Sequence, residues 1–595
     1  MTPVPEHGTS LMMIEGGLTV IAFAVSFCWP RLGATCFLHI ENIFRRLARK
    51  QGLAVMAVGV TAVLSRLAIL PVIPIPHPFS PDDFSFLLAG DTFASGRLTN
   101  PTPVMWQHFE SIHITMKPTY MSMYFPANGL VLAGGKLLFG HPWFGLLCMI
   151  GLMCAAICWM LQAWLPPTWA LLGGVLAILR LGLFSYWINT YSGAASTSAL
   201  GGALVLGALP RFMKTARLRY SMLMAVGIIL LATSRPYEGI LLCVPVAIVL
   251  RRWIFHGKNR PTMPVVFRRI AAPLALIVAA GAWMGYYDYR AFGDPLTPPY
   301  KIDRTTYAVS PYYIWQSQRP EPVYRHAVLR DFYCRYEIHD VGRIQSALGF
   351  LPQTLIKGAR GLYFFAGFAL LPPLIMLRRV LADRRIRFLV LSVLVLVAGM
   401  LIEIFLFPHY IAPFTAAFYA IGLQAMRHLR VWRPGGQPVG TTLVRLTVTL
   451  CFALCVIQLY AEPLGIRVIK SDTTQVWNGA GEFGTARAHV EAELERLPGK
   501  QLVLVHYSPT HDSMDEWVYN APDIDHAKVI WAREMDNADN LKLIHYYKDR
   551  KVWLVQPDLQ PAGLAPYSMP RTQTVAPAVS SASIGKQEGK TQQGG

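Results

Sequence analysis

Long apolar runs separated by short basic clusters constrain this chain more than anything else in it. The runs fall near residues 10–29, 52–73, 143–164, 168–188, 194–210, 220–234, 237–250, 270–288, 359–377, 388–407, 409–426 and 441–460. About 17 to 25 apolar residues in a helix cross the hydrocarbon core of a bilayer. A spanning segment has to be helical, because no water is present there to satisfy its backbone. The 220–250 stretch reads either as one long helix or as a hairpin broken at Arg235-Pro236, so these runs give eleven or twelve helices and the expected number of spans is about 11 to 13. Charged residues make up only 15% of the chain, against about 25% in a soluble domain. The fold class that follows is an all-α polytopic membrane protein.

The formal net charge of +20 does not point to nucleic acid, because Lys and Arg sit in clusters between apolar runs rather than along one soluble face. Such clusters mark cytoplasmic loops. They occur at 31–50, 211–219, 251–269, 378–387 and 427–433. Placing all five on one side requires an even number of spans between them, and the hairpin reading meets that condition throughout. Residues 74–128, 189–193, 233–239, 289–350 and everything after about 461 then face outward. The first run follows acidic Glu6 and precedes no small-residue cleavage site, so it reads as a retained helix and not a signal peptide. Most cysteines lie inside apolar runs, so no disulfides are expected.

Four regions follow. Residues 1–50 hold the first span and a basic loop, and 51–460 form the transmembrane body with long outer loops at 74–128 and 289–350. Residues 461–565 read as a small α/β domain outside the membrane: "QLVLVHY", "AKVIWARE" and "KVWLVQP" have the character of buried strands, with helices near 485–496 and 537–547. The tail 566–595 is rich in Pro, Ser, Gly and Gln and reads as disordered. Loops as long as 74–128 and 289–350 are usually functional. No P-loop, dinucleotide fingerprint or zinc motif is present.

The chemistry concentrates where the second run ends, in "PFSPDDFSFLLAGDTF". A carboxylate at headgroup depth can act as general base toward an acceptor hydroxyl. Equally, Ser80, Asp82 or Asp83 can cap the helix that follows, although a cap gives no reason for a pair. The loop continues through Phe109-Glu110, Lys117-Pro118 and "YFP", and "TSRPYEG", "YYDYRAFGDPLTPPY" and "FPHYIAPF" come later. With these motifs the chain resembles the C superfamily of membrane glycosyltransferases, nearest the protein O-mannosyltransferase and aminoarabinose-transferase branch (glycosyltransferase family 39-like). The likeness covers most of residues 50–430 in topology, with its sharp motifs confined to the first loop.

That resemblance implies a GT-C-like fold in a bacterial cytoplasmic membrane, with the active site on the outer face. It implies an enzyme that moves a sugar from a polyprenyl-phosphate donor, with inversion, to a hydroxyl on a glycan, lipid or protein. Asp82 and Asp83 match the family's acidic pair as base and orienting residue, with the choice between them open. Lys117 matches the family's Lys-Pro position as the cation for the leaving phosphate. Arg235, at the outer end of a span, is the second candidate for that cation, with pairing to Glu238 as the alternative. Arg180 lies inside a span and is either a phosphate ligand or one half of an inter-helix ion pair, with Glu403 as its candidate partner. Glu110, His409 and Tyr410 complete the substrate-binding set. Asp82, Asp83, Glu110, His108 and His113 could hold a divalent metal, but their spacing matches no dedicated motif, so no cofactor is expected. The partners are then the lipid-linked donor, the acceptor and the surrounding membrane lipids. A transporter or lipid flippase would be expected to carry repeats and charges near mid-bilayer. A non-catalytic scaffold would leave the acid pair without a purpose.

Overall fold

The computed structural model describes residues 10–256, 261–461, 463–466, 468, 477 and 484–568. The reading of 566–595 as disordered falls almost wholly outside them. The chain is a mostly helical, multi-pass membrane protein that ends in a small four-stranded sheet. Among the described residues, six helices are long and apolar enough to cross a membrane: Leu11–Cys28, Gln51–Ala68, Trp143–Trp164, Pro236–His256, Met263–Phe292 and Val439–Leu459. Shorter apolar helices run over Pro167–Gly182, Leu218–Ala232 and Arg387–Leu401. The 220–250 stretch is a hairpin, turning at 233–235 ahead of Pro236.

Three expected spans are interrupted. The run at 168–188 gives way to a π-helical turn over Ile178–Gly182, which carries Arg180, and then to a single helical turn at Tyr186–Asn189. The run at 359–377 belongs to a helix that starts earlier and stops at Ala366, where Gly367 adopts φ +55°. The run at 388–407 is helical only to Leu401. At one end of the bundle the basic loops meet, since Glu41 pairs with both Arg430 and Arg445.

At the other end lies the helix Pro81–Ala94, whose start is written locally. Ser80 accepts from the Asp83 N–H and the Asp83 carboxylate accepts from the Ser80 N–H, a capping box with Pro81 at the first helical position. Two glycines then fix where the helix sits. A Cβ on Gly90 would lie 2.8 Å from Leu132 Cβ, and one on Gly129 would lie 2.7 Å from Ala89 Cβ, so the helix can pack this closely on Pro126–Phe139 only without them.

The C-terminal sheet has the order Val529–Arg533, Lys500–Val505, Arg550–Gln556, Gly563–Pro566. The first three strands are parallel and the last is antiparallel. The three segments read as strands thus pair with one another, and helices occupy Thr485–Arg496 and Asn537–Tyr546. The sheet does not stand apart from the 74–128 loop. Leu88, Phe109, Ile114 and Tyr120 share one core with Leu502, Leu504, Ile530 and Leu543. A buried ion pair backs that core, with Arg533 Nη2 2.7 Å from Glu516 Oε2.

Candidate active site

A cavity of about 1430 Å³ opens where the Pro81–Ala94 helix, the 233–238 turn, the 299–345 region and the 403–410 turn converge. The C-terminal domain closes one side of it with the loop 509–514. Of the residues singled out in the sequence, Asp82, Asp83, Arg235, Glu238, His409 and Tyr410 line it.

The two aspartates have different surroundings. Asp83 is 3% exposed, and both its oxygens are taken by backbone N–H groups: Tyr191 at 2.8 Å on Oδ1, Phe79 at 3.3 Å and Ser80 at 3.4 Å on Oδ2. Burial pushes its carboxyl up to about 7, against these three donors, which favour the charged form. Asp83 therefore ties the start of its helix to the 189–193 turn and has no oxygen left for a substrate. Asp82, next in sequence, projects from the other side of the first turn. Its Oδ1 lies 2.5 Å from His113 Nδ1 and also accepts from the Tyr124 hydroxyl. Its Oδ2 has no protein partner among the described residues. Burial alone would push the Asp82 carboxyl up, but the charge of His113, with hydrogen bonds from His113 and Tyr124, outweighs it and holds the group below its ordinary value.

Across the cavity Arg235 is 8% exposed, with its guanidinium 4.2 Å above the Tyr410 ring. It donates to the Gly193 carbonyl at 3.3 Å, while its Nε has no partner. Glu238, one turn further on and 3% exposed, forms no direct salt bridge with it and accepts no side-chain hydrogen bond among the described residues. His409 is held by Tyr186, whose hydroxyl is hydrogen-bonded to Nδ1 at 2.9 Å and accepts from the His409 N–H at 3.0 Å.

Three expected ligands lie elsewhere. Lys117 is exposed and stands 4.3 Å above the Trp106 ring, outside the cavity, because the loop after His113 turns away toward the C-terminal sheet. Glu110 is 2% exposed and accepts from Tyr307 at 2.9 Å and Arg325 at 3.2 Å, while its carbonyl accepts from Arg533 at 2.5 Å. It therefore fastens the loop to the domain behind it. Arg180 is 1% exposed and pairs with Glu15 at 3.1 Å, not with Glu403, and its guanidinium lies 4.2 Å over Trp477. The residues weighed for a metal are also split, since His108 Nδ1 is 3.0 Å from the Arg533 carbonyl while only His113 reaches Asp82.

Among solved structures, the chain is similar to ArnT from Cupriavidus metallidurans in the apo state, with 13% identity, 84% of this chain and 92% of that chain covered, and a TM-score of 0.44. It is also similar to the archaeal oligosaccharyltransferase AglB from Archaeoglobus fulgidus in complex with an inhibitory peptide and a dolichol-phosphate. That match has 9% identity, 84% and 69% coverage, and a TM-score of 0.43. No protein-family model and no curated protein matches the sequence. Likeness at this level concerns the path of the chain and carries nothing about chemistry, so the cavity has to be read from its own side chains.

Sequence reasoning missed two of those side chains. His113 was considered only as a metal ligand and Tyr124 only as part of "YFP", yet both close on Asp82. The usable signal was weak: a histidine and a tyrosine, 31 and 42 residues beyond the aspartate, in a loop too long to be a connector.

Proposed function

We propose that this protein is a membrane glycosyltransferase. It takes a sugar from a polyprenyl-phosphate donor and passes it to an acceptor hydroxyl at the outer face of the cytoplasmic membrane. One observation carries the reading: a single cavity at the end of the bundle is lined both by a carboxylate with one oxygen tied and one free and by a buried arginine whose Nε has no partner. The resemblance of the 78–125 loop to the C superfamily supports it.

The chemistry asked of the site is small in parts. Asp82 Oδ2 takes the proton from the acceptor O–H while that oxygen forms its bond to the anomeric carbon. The bond from the anomeric carbon to the phosphate oxygen breaks, and the electron pair leaves with the phosphate, so attack and departure on opposite sides invert the centre. Phosphate needs no proton to leave, but its charge needs a cation close by. Arg235 fits that need, because a guanidinium has five donors and this one has committed few of them to protein. A buried cation in that state is costly until an anion arrives. Asp83 holds the helix that carries Asp82. The acceptor is bound against residues 331–341 and the 509–514 loop, which supply much of the polar lining of the cavity.

The test is transfer from radiolabelled polyprenyl-phosphate pentoses and hexoses in membranes containing wild type or Asp82→Asn. The lipids and glycans of cells with and without the gene would identify the acceptor class. Undiminished transfer by Asp82→Asn would overturn the assignment.

A further inference from the structure

Asp82 is not aimed by its own helix alone. His113 has φ +63°, a left-handed conformation that a non-glycine residue adopts only when its surroundings impose it. Two bonds impose it here: the His113 carbonyl accepts from Ser85 Oγ at 2.6 Å and from the Met123 N–H at 3.1 Å. The ring is then wedged edge-on against Phe332, with centroids 5.1 Å apart, and against Tyr124 at 5.8 Å. Both constraints point Nδ1 at Asp82 Oδ1.

The charged groups around His113 favour its cationic form. From the Pro81–Ala94 helix comes Asp82 itself, and from the Pro299–Thr306 helix come Asp303, which is fully buried, and Arg304. Tyr333 donates to Asp303, at 3.3 and 3.4 Å from its two oxygens, and Glu337 pairs with Arg304. Arg304 is thus paired with Glu337, and the carboxylates of Asp82, Asp303 and Glu337 all act on the imidazole. Burial works against its charge, but these carboxylates prevail and His113 is raised above its ordinary value.

We propose that His113 is the positioning residue of Asp82: as an imidazolium it locks one carboxylate oxygen so that the other faces the acceptor, and it sets a positive charge against that carboxylate. This rests on Asp82 being the base, but its test does not depend on transfer. The neighbouring Asp83 has no cationic partner among the described residues, and burial raises its carboxyl above the ordinary value. With the imidazolium removed, Asp82 keeps the burial and loses the charge that opposes it, so its protonation midpoint rises.

The measurement is labelling of the purified full chain with dicyclohexylcarbodiimide, which reacts with protonated carboxyls, from pH 2.5 to 9, with modified Asp82 and Asp83 quantified separately by peptide mass spectrometry. His113→Asn is the first variant, since asparagine tolerates the left-handed backbone and keeps a hydrogen-bond donor while removing the charge. His113→Gln is the second, and the accepted variant is one that elutes as a single species with the melting temperature of the wild type. The expected result is a labelling midpoint for Asp82 displaced upward by about 1 to 3 pH units, the effect of one opposite charge at this range, with Asp83 little changed. Asp303→Asn should move Asp82 the same way by less. An unmoved Asp82 midpoint in a folded His113 variant overturns the inference, whatever the transfer assay says. Loss of transfer in Asp82→Asn decides the underlying reading separately.

Discussion

Replacing each aspartate of the pair by asparagine should produce two different defects. Asp82→Asn keeps the shape of a side chain that is 30% exposed to the cavity, and its remaining oxygen can still accept from His113 and Tyr124. The cost in stability should be modest, because the imidazolium loses its closest counter-charge but can release its proton, and Asp303 still acts on it. What is lost under the proposed mechanism is the base, and general-base catalysis contributes about 10²- to 10⁴-fold, or about 3 to 5 kcal/mol of barrier. Asp83→Asn meets a different constraint. Its two oxygens accept three backbone N–H groups, and the amide has one oxygen to offer and an N–H₂ that would face donors. If the oxygen stays with Tyr191, the capping pair is lost at about 1 kcal/mol, and a buried N–H goes unsatisfied at about 1 to 3 kcal/mol. Asp83→Asn should thus lower stability by about 2 to 4 kcal/mol, while the folded fraction retains transfer. The assay pairs initial transfer rates, normalised to folded protein, with melting followed by size-exclusion chromatography in detergent. A stable but inactive Asp83→Asn beside an active Asp82→Asn would refute the division of roles.

Arg235→Ala removes charge-assisted hydrogen bonds to the donor phosphate, worth about 1.5 to 3 kcal/mol, so the KM for the lipid-linked donor should rise by about 10- to 100-fold; an unchanged KM would place the phosphate elsewhere. Lys117→Ala should leave transfer unchanged in the same assay, because the ammonium rests on Trp106 outside the cavity. Arg533→Met strands Glu516, which also accepts from Ser111 and Tyr507, and should cost about 3 to 5 kcal/mol. Limited trypsin digestion should then release the C-terminal domain far faster than from wild type.

The legible parts of the fold were those fixed by local physics. The 143–164 window matches the Trp143–Trp164 helix, and the three apolar segments of the C-terminal region pair as strands because short continuous runs rich in Val, Leu and Ile suit parallel strands covered on both faces. Asp82 and Arg235 could be found because each lies where a span ends, a position the sequence marks by a change of hydropathy. Lys117 and Glu110 were misplaced for the opposite reason. They belong to an irregular loop whose path is set by a core shared with a sheet roughly 400 residues away in the chain. Arg180 found its counter-charge 165 residues away, in the first helix.

By itself, then, the sequence determined that this chain crosses a bilayer many times, that its acid pair lies just beyond the end of a span, and that a small α/β region follows. Bilayer thickness, backbone satisfaction and side-chain periodicity act on neighbouring residues and need nothing else. Only the tertiary structure decided which aspartate has a free oxygen, which cation faces it and which histidine holds it. A buried polar group is satisfied by whatever the fold brings within about 3 Å, and that distance has no counterpart along the chain.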